Sequence, residues 1–525
     1  MSQCTCGDAI LPGERFCGSC GAPAPQPAAP GPPAVAHSPA RPGLQPLQHA
    51  SARAGPQPPG VPRASARATP DVLFVIHRSN RELCEALRAH GEVLPVTPSS
   101  ALEAVRERTG SGSPKGAICL IGAPWELPMS VVEDPADKDE GVPTDNFFGS
   151  RSTPTAAERY TGTLLPDLPV GRIPFTRVDL VLDILARGEG LAPSWRGGLA
   201  VSAAVWRGTS DALLAEIAGE DRPRMLVAPH HTDSDVAGAL QGRPGRCFFN
   251  VHGSDQEPVW VGEGGGVHPR VLHPGQVQIA SGGIAVSEAC YGAAMFEGEP
   301  AMGRAFLERG AGCFVGSTII AWGQAHPPPS AADLVVLGFY RNLDSGLPAG
   351  LALLEAKRSI LRRTLEQGEP LSPPIHNTLA SFVLYGSPLA RVAGAAPQAP
   401  AGDARPGGTL QAIRERSAGR AASGALGGVR SRMAERLHPG DWAALSYGRI
   451  AFAQLAGQVP GAGEIRRALE EALGQPPSDA RVFRYRAGRA ERTSVIASLR
   501  APWGARHAAV IVAEDGTIRE RYVSR

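Results

Sequence analysis

Aromatic residues are scarce in this chain of 525 residues, at 5%, and charged residues amount to only 19%. Neither sign of charge prevails: 52 Lys and Arg against 50 Asp and Glu leave a formal net charge of +2. That balance argues against a strongly basic nucleic-acid binder and against an acidic solvating tail. No stretch of about 18 consecutive apolar residues occurs, so no membrane-spanning helix is expected. The first residues, Met1, Ser2, Gln3 and Cys4, offer neither a basic start nor an apolar run. No secretory signal is therefore expected, and a reducing, cytoplasmic setting is the corresponding expectation. What the chain has in quantity is Gly and Pro, 63 and 50 residues, more than one position in five. Compact domains joined by long extended segments are the expectation, and the length suggests about three or four units at roughly 150 residues each. The 42% apolar share is enough for at least one sizeable core.

Four of the nine cysteines, Cys4, Cys6, Cys17 and Cys20, fall within the first twenty residues. Such a group in a reducing compartment points to metal rather than disulfides, and four thiolates suit a tetrahedral Zn²⁺. The first pair, Cys4 and Cys6, is one residue closer than the second. With Gly7, Leu11, Gly13, Phe16 and Gly21 the segment resembles the short zinc ribbons at the N-termini of many bacterial proteins. Residues 1–21 are thus expected to form a structural Zn²⁺ ribbon with no open coordination position; the alternative is a cysteine-bearing tail. Residues 22–70 hold 14 prolines and no acidic or aromatic residue, which fits an extended linker.

From residue 71 the composition changes. Apolar runs at 72–76, 92–96 and 116–122 read as strands, and 81–90 and 101–109 as helices. After a loop-rich stretch the alternation resumes, with helices at 178–187 and 209–219 and a strand at 198–204. This pattern indicates an α/β layer with a parallel sheet. Three further apolar runs end in chemically loaded turns. The first, at 247–251, leads into His252 and Gly253; the second, at 277–286, leads into Glu288, Ala289, Cys290, Tyr291 and Gly292. The third, at 312–320, leads into Ala321, Trp322 and Gly323. In a doubly wound sheet, sites lie at the carboxyl ends of strands, so His252 and Cys290 are expected side by side on one rim. A thiol next to an imidazole that takes its proton is a nucleophile with its base. The backbone N–H groups of Gly253 and Cys290 are candidates for an oxyanion site. Either residue alone would more often be a buried small hydrophobe or a satisfied polar group.

Glu288-Ala289-Cys290-Tyr291-Gly292 is a near match to the caspase signature Gln-Ala-Cys-x-Gly, with a histidine 38 residues upstream. The block from Asn250 through His252, Gly253 and Ser254 to Trp260 resembles that of the gingipain-type cysteine peptidases. So do residues 143–149 (Pro-Thr-Asp-Asn-Phe-Phe-Gly), 168–174 (Leu-Pro-Val-Gly-Arg-Ile-Pro), 316–322 and 382–389. The resemblance covers about residues 71–393. It implies a caspase-like fold in two α/β halves, 71–197 and 198–393, the second carrying the catalytic pair. It also implies Cys290 as nucleophile, His252 as general base and acid, and Trp322 as a wall of the specificity pocket; Trp260 is read as a lid over the cleft, with a core residue as the alternative. Members of the family often place an acid behind the histidine, at the end of the strand matching 198–204. Here that strand runs into Val205 and Trp206, so a Cys-His dyad, or an imidazole oriented by a backbone carbonyl, is expected. Gly323, Gln324, Ala325 and His326 replace the acid of Lys-preferring members, and Asp211 is the nearest candidate for the acid of Arg-preferring ones. Asp145 and Asp255 are read as exposed-loop acids, the former structural or calcium-binding.

Residues 394–437 read as a second linker and a basic helix weakened by Gly419, Gly424, Gly427 and Gly428, at about 1 kcal/mol each. Residues 438–525 read as a small α+β domain, with a helix at 463–473 and an Asp515-Gly516 hairpin turn. The expected partners are a protein or peptide substrate, and a protein partner through the ribbon or the C-terminal domain. Neither membrane nor nucleic acid is expected, since Arg15 is the sole basic residue of the ribbon. The competing reading is a zinc-ribbon adaptor whose caspase-like domain binds proteins without cutting them.

Overall fold

A computed structural model of the chain describes residues 2–3, 9–10, 72–110, 116–133, 141–150, 165–298, 300–366, 372–395, 446–457, 459–487, 490–501 and 504–524. In the N-terminal unit, β1 (Ser2–Gln3) pairs antiparallel with β2 (Ala9–Ile10). Cys4, Cys6, Cys17 and Cys20, and the basic helix expected at 409–437, lie outside the described residues.

The large unit is built on one ten-stranded sheet. Its strands are β3 (Val72–His77), β4 (Glu92–Val96), β5 (Ala117–Ile121), β8 (Val170–Ile173), β9 (Leu199–Ala203), β10 (Met225–Ala228), β11 (Arg246–Asn250), β14 (Gly283–Ser287), β15 (Ala311–Ser317) and β17 (Phe382–Gly386). They lie in the order β10-β9-β11-β14-β15-β17-β8-β5-β3-β4. Neighbours run parallel at every step except between β15 and β17. Helices flank the sheet, and the fold is of the α/β class, consistent with the caspase-like arrangement expected. Continuous apolar runs form these strands because both faces are covered. Phe248 sits in one core with Ala200, Ile284 and Val315, while its neighbour Phe249 sits in the other with Val201, Ala285 and Phe314.

The loop around Asp145 is fastened to this sheet rather than exposed. Asp145 is 4% exposed and accepts two hydrogen bonds, at 2.8 and 2.6 Å, from the fully buried Arg172 of β8. Lys357 donates to the Phe382 carbonyl at 2.7 Å and to Asn146 Oδ1 at 3.4 Å, and burial lowers its ammonium to about 7. Asp145 is therefore a structural acid tying 143–149 to β8. Its replacement by alanine would leave a guanidinium buried without its counter-charge. A loss of about 3–5 kcal/mol in unfolding free energy is expected, to be read from denaturant melts of the two chains.

Two short hairpins, β6 (Ser130–Glu133) with β7 (Gly141–Thr144) and β12 (Trp260–Val261) with β13 (Arg270–Leu272), decorate the main sheet. The C-terminal part has β18 (Ser446–Ala451), β19 (Asp479–Ala487), β20 (Ala490–Ala501), β21 (Gly504–Ala513) and β22 (Ile518–Ser524), with the helix Ala462–Leu473 on one face. These strands alternate without crossovers, and the Asp515-Gly516 turn joins the last two. The sheet does not stop at its own strands. Its sixth member is β16 (Trp322–Gly323), which follows β15 in the chain and pairs with β22.

Candidate active site

Strands β9, β11, β14 and β15 are parallel neighbours, so their carboxyl ends form one rim. Two residues past β11 comes His252; three past β14 comes Cys290. The pairing of Phe249 with Ser287 and the bond from Glu288 N–H to Phe249 O at 2.8 Å hold the two exits in step. Gly253 then packs directly on the backbone of the turn that carries Cys290. A Cβ at 253 would stand 1.7 Å from the Cys290 carbonyl oxygen, a distance that requires the two loops to separate. Gly253→Ala is expected to displace one loop by roughly 1 Å, read as a change in the rate at which iodoacetamide alkylates Cys290 in a chain that melting curves show to be folded.

The turn around Cys290 is constrained. Tyr291 adopts a φ of 55°, rare for a side chain of its size. Strain of this kind persists where surrounding contacts over-determine it. Here Tyr291 N–H donates to Ile319 O at 2.8 Å, and Ser287 Oγ accepts from Ala289 N–H at 3.0 Å. Cys290 is 4% exposed, and its sulfur accepts from the Ala321 N–H at 3.4 Å and lies 3.8 Å from the Ala321 carbonyl. The residue next to Ala321 is Trp322, so the structure brings Cys290 against the segment that resemblance assigned to the specificity pocket. The thiols of Cys119, Cys247 and Cys313 are instead fully enclosed, and burial pushes Cys313 up to about 12.

His252 is 2% exposed and is held on two sides. Its backbone exchanges hydrogen bonds with Val261, at 2.8 and 2.9 Å. Its ring meets Trp206 edge-on, with centroids 4.5 Å apart. The exchange with Val261 folds the chain back so that Glu263 reaches the imidazole: Nε2 and Oε2 are 2.8 Å apart. The end of β9 supplies no acid, as Val205 and Trp206 indicated, yet a carboxylate does reach the ring. It is the carboxylate of Glu263, eleven residues past the histidine. Burial would raise the Glu263 carboxyl, yet its hydrogen bond to His252 and the charges of His252, Arg506 and His268 hold it below the usual range. Burial also lowers the His252 imidazole, against the opposing pull of Glu263. At neutral pH the pair is thus a carboxylate and a neutral ring. An ionised carboxylate only accepts, so Nε2 carries the proton and Nδ1 keeps its lone pair.

Two sequence expectations need correction. Trp260 is no lid: it is 2% exposed and packs in the core between Phe249 and Phe306, at 4.8 and 6.0 Å. An indole flanked by Val259 and Val261 on a two-residue strand turns inward because apolar rings wait there. Asp211 stands half-exposed on the helix Arg207–Ala218, between Arg207 at 3.7 Å and Arg222 at 3.8 Å. Its charge is answered there rather than by a substrate. An acid close to Trp322 is the fully buried Asp333, which accepts from the N–H groups of Gln324 at 3.3 Å and Ser330 at 3.0 Å and so shapes the loop. Asp255 lies in the exposed loop following Gly253, its carboxylate accepting from Gln256 at 3.0 Å. Among the described residues no group of three or more His, Cys, Asp and Glu is arranged to hold a metal, and no helix is long and apolar enough to cross a membrane.

No family model matches the chain, and no curated protein matches it. Six chains of solved structures do match. One of them, "Structure of Protease", is 11% identical and covers 86% of this chain and 97% of its own, with a TM-score of 0.44. At that score the likeness carries no argument about activity.

Proposed function

We propose that the chain is a cysteine endopeptidase with Cys290 as nucleophile, His252 as base and acid, and Glu263 as the carboxylate that orients His252. The observation that carries this reading is the delivery of His252 and Cys290 by adjacent parallel strands, with Gly253 seated on the Cys290 carbonyl and Glu263 on Nε2 of the ring. The thiol gives its proton to Nδ1 of His252, and the thiolate attacks the scissile carbonyl carbon. The Gly253 and Cys290 N–H groups receive the charge that develops on the carbonyl oxygen. His252 passes its proton to the leaving amine, the C–N bond breaks, and a thioester remains. Water, deprotonated by the same imidazole, then hydrolyses the thioester and restores the thiol. Glu263 keeps Nε2 protonated and stabilises the imidazolium at each transfer, as the carboxylate of a catalytic triad does.

Trp322 walls the pocket for the side chain before the cut. Cys4, Cys6, Cys17 and Cys20 belong to the same proposal as ligands of a structural Zn²⁺, through which no step runs. Control through the ribbon or the C-terminal domain completes the reading. The test compares wild type and Cys290→Ala on a proteome-derived peptide library, with new termini read by mass spectrometry. Cuts made by the wild type alone support it; a library left intact both by the full chain and by residues 71–393 alone favours the adaptor.

A further inference from the structure

We propose that β22 is an internal occupant of the edge that receives the substrate peptide, and that Arg506 clamps this occupant's domain onto the carboxylate behind His252, so that the full chain is latent. The proposal rests on the peptidase reading. An exposed strand edge is a template for an extended chain, and peptides dock to such edges through main-chain hydrogen bonds. The edge beside the nucleophile is β16, because Ala321, whose N–H and carbonyl flank the Cys290 sulfur, leads directly into it. That edge is taken. Trp322 pairs with Ser524 and Gly323 with Val523, antiparallel. From Val523 to Ser524 the strand therefore runs from Gly323 back towards Trp322 and Ala321, its carboxyl end advancing on Cys290. A substrate paired on the same edge needs this direction for the residues preceding its scissile bond to bring their carbonyl to the thiol.

The same domain reaches two further parts of the machinery. Arg506, on β21, forms an ion pair with Glu263 Oε1 while Oε2 of that carboxylate holds His252. The other arm of its guanidinium donates to Ala472 O at 2.6 Å, at the end of the helix Ala462–Leu473. The His507 ring packs edge-on against Trp322, centroids 6.2 Å apart, and the His507 backbone N–H donates to Ser524 Oγ at 2.7 Å. Tyr522 and Ile511 share one apolar cluster with Trp322, Ile320 and Cys290. The cover is not a perfect fit: the indole N–H of Trp322 is buried beneath it without an acceptor. An unmade hydrogen bond of this kind is costly, and a peptide offering an acceptor there would compete with β22 for the edge.

The experiment compares three chains, each with its Cys290→Ala control: the full chain, a chain ending at Tyr522, and Arg506→Ala. Peptide-resolved alkylation of Cys290 by iodoacetamide in reduced protein reports access to the thiol. Cutting of the mixed peptide library reports the chemistry. Removal of residues 523–525 is expected to speed alkylation at least tenfold and to raise cutting with it; Arg506→Ala is expected to speed alkylation several-fold. Equal alkylation rates in the full and trimmed chains would overturn the occlusion, whatever the cutting shows. Faster alkylation with no cutting by any chain would keep the occlusion and sink the peptidase reading. If melting curves show that the trimmed chain does not fold, the Arg506→Ala rate decides alone: faster supports the clamp, unchanged overturns it.

Discussion

Cys290→Ala is expected to lower cleavage of any susceptible peptide by about 10⁴-fold or more, which is the scale on which a nucleophile and its base act as one unit. The substitution removes only a sulfur from a side chain that is 4% exposed and touches the Ala321 backbone. The fold should survive it, with an unfolding midpoint close to that of the wild type. His252→Ala should fall to the same residual rate, and the double variant should fall no further, because each single change already disables the pair. A Cys290→Ala chain that keeps more than a tenth of the wild-type rate would place the nucleophile elsewhere. Cys119, Cys247 and Cys313 are poor substitutes, being fully buried with their thiols held protonated.

Glu263→Gln should be the next most damaging change, at about 10²- to 10⁴-fold in kcat with KM little altered. A glutamine amide can present its N–H₂ to Nε2 as readily as its oxygen, and the ring then no longer has a fixed tautomer. The pH profile separates this positioning role from a purely structural one. Burial, the largest influence on His252, lowers its proton affinity; Glu263 opposes that through its hydrogen bond and charge. Removing the charge leaves burial unopposed, so the acidic limb of kcat/KM, where His252 must lose its proton, should move to lower pH. Glu263→Asp, which keeps the charge with a shorter reach, should recover part of the rate. A Glu263→Gln chain with an unshifted profile and unchanged kcat would show that the carboxylate serves the fold alone.

The parts of this site that were legible in the sequence are those carried by strand periodicity. Apolar runs through 247–251 and 277–286 read as buried strands, and the first residues beyond neighbouring strands of a parallel sheet share one rim. His252 and Cys290 were found in that way. Glu263 was not, because a short exchange of hydrogen bonds between His252 and Val261 brings it back, and no spacing rule marks such a return. The glycine run at 264–266 was the available signal: so many glycines just after a strand-like Trp260–Val261 indicate a tight reversal next to the histidine. Trp260 misled for a related reason. Its inward direction depends on Phe249 and Phe306, whose approach is tertiary. The union of β16 with β22 joins residues some two hundred positions apart through backbone groups alone, which leave no trace in side-chain pattern.

The place of β17 between β15 and β8 in the large sheet bears on how the chain reaches this state. Strand β8 is joined to β5 early in the chain, yet its other edge is covered only by β17, where Arg172 pairs with Tyr385. More than two hundred residues must be made before that edge meets its partner, and β17 must at the same time align against β15. Closure of so long a loop slows folding, and an uncovered strand edge invites pairing with another chain. Refolding from denaturant should therefore be slow, with yields that fall as protein concentration rises. A ribosome-bound chain that stops short of residue 382 would carry an open β8 edge, which makes assembly of the last main-sheet strand the step at which this protein is most exposed to aggregation.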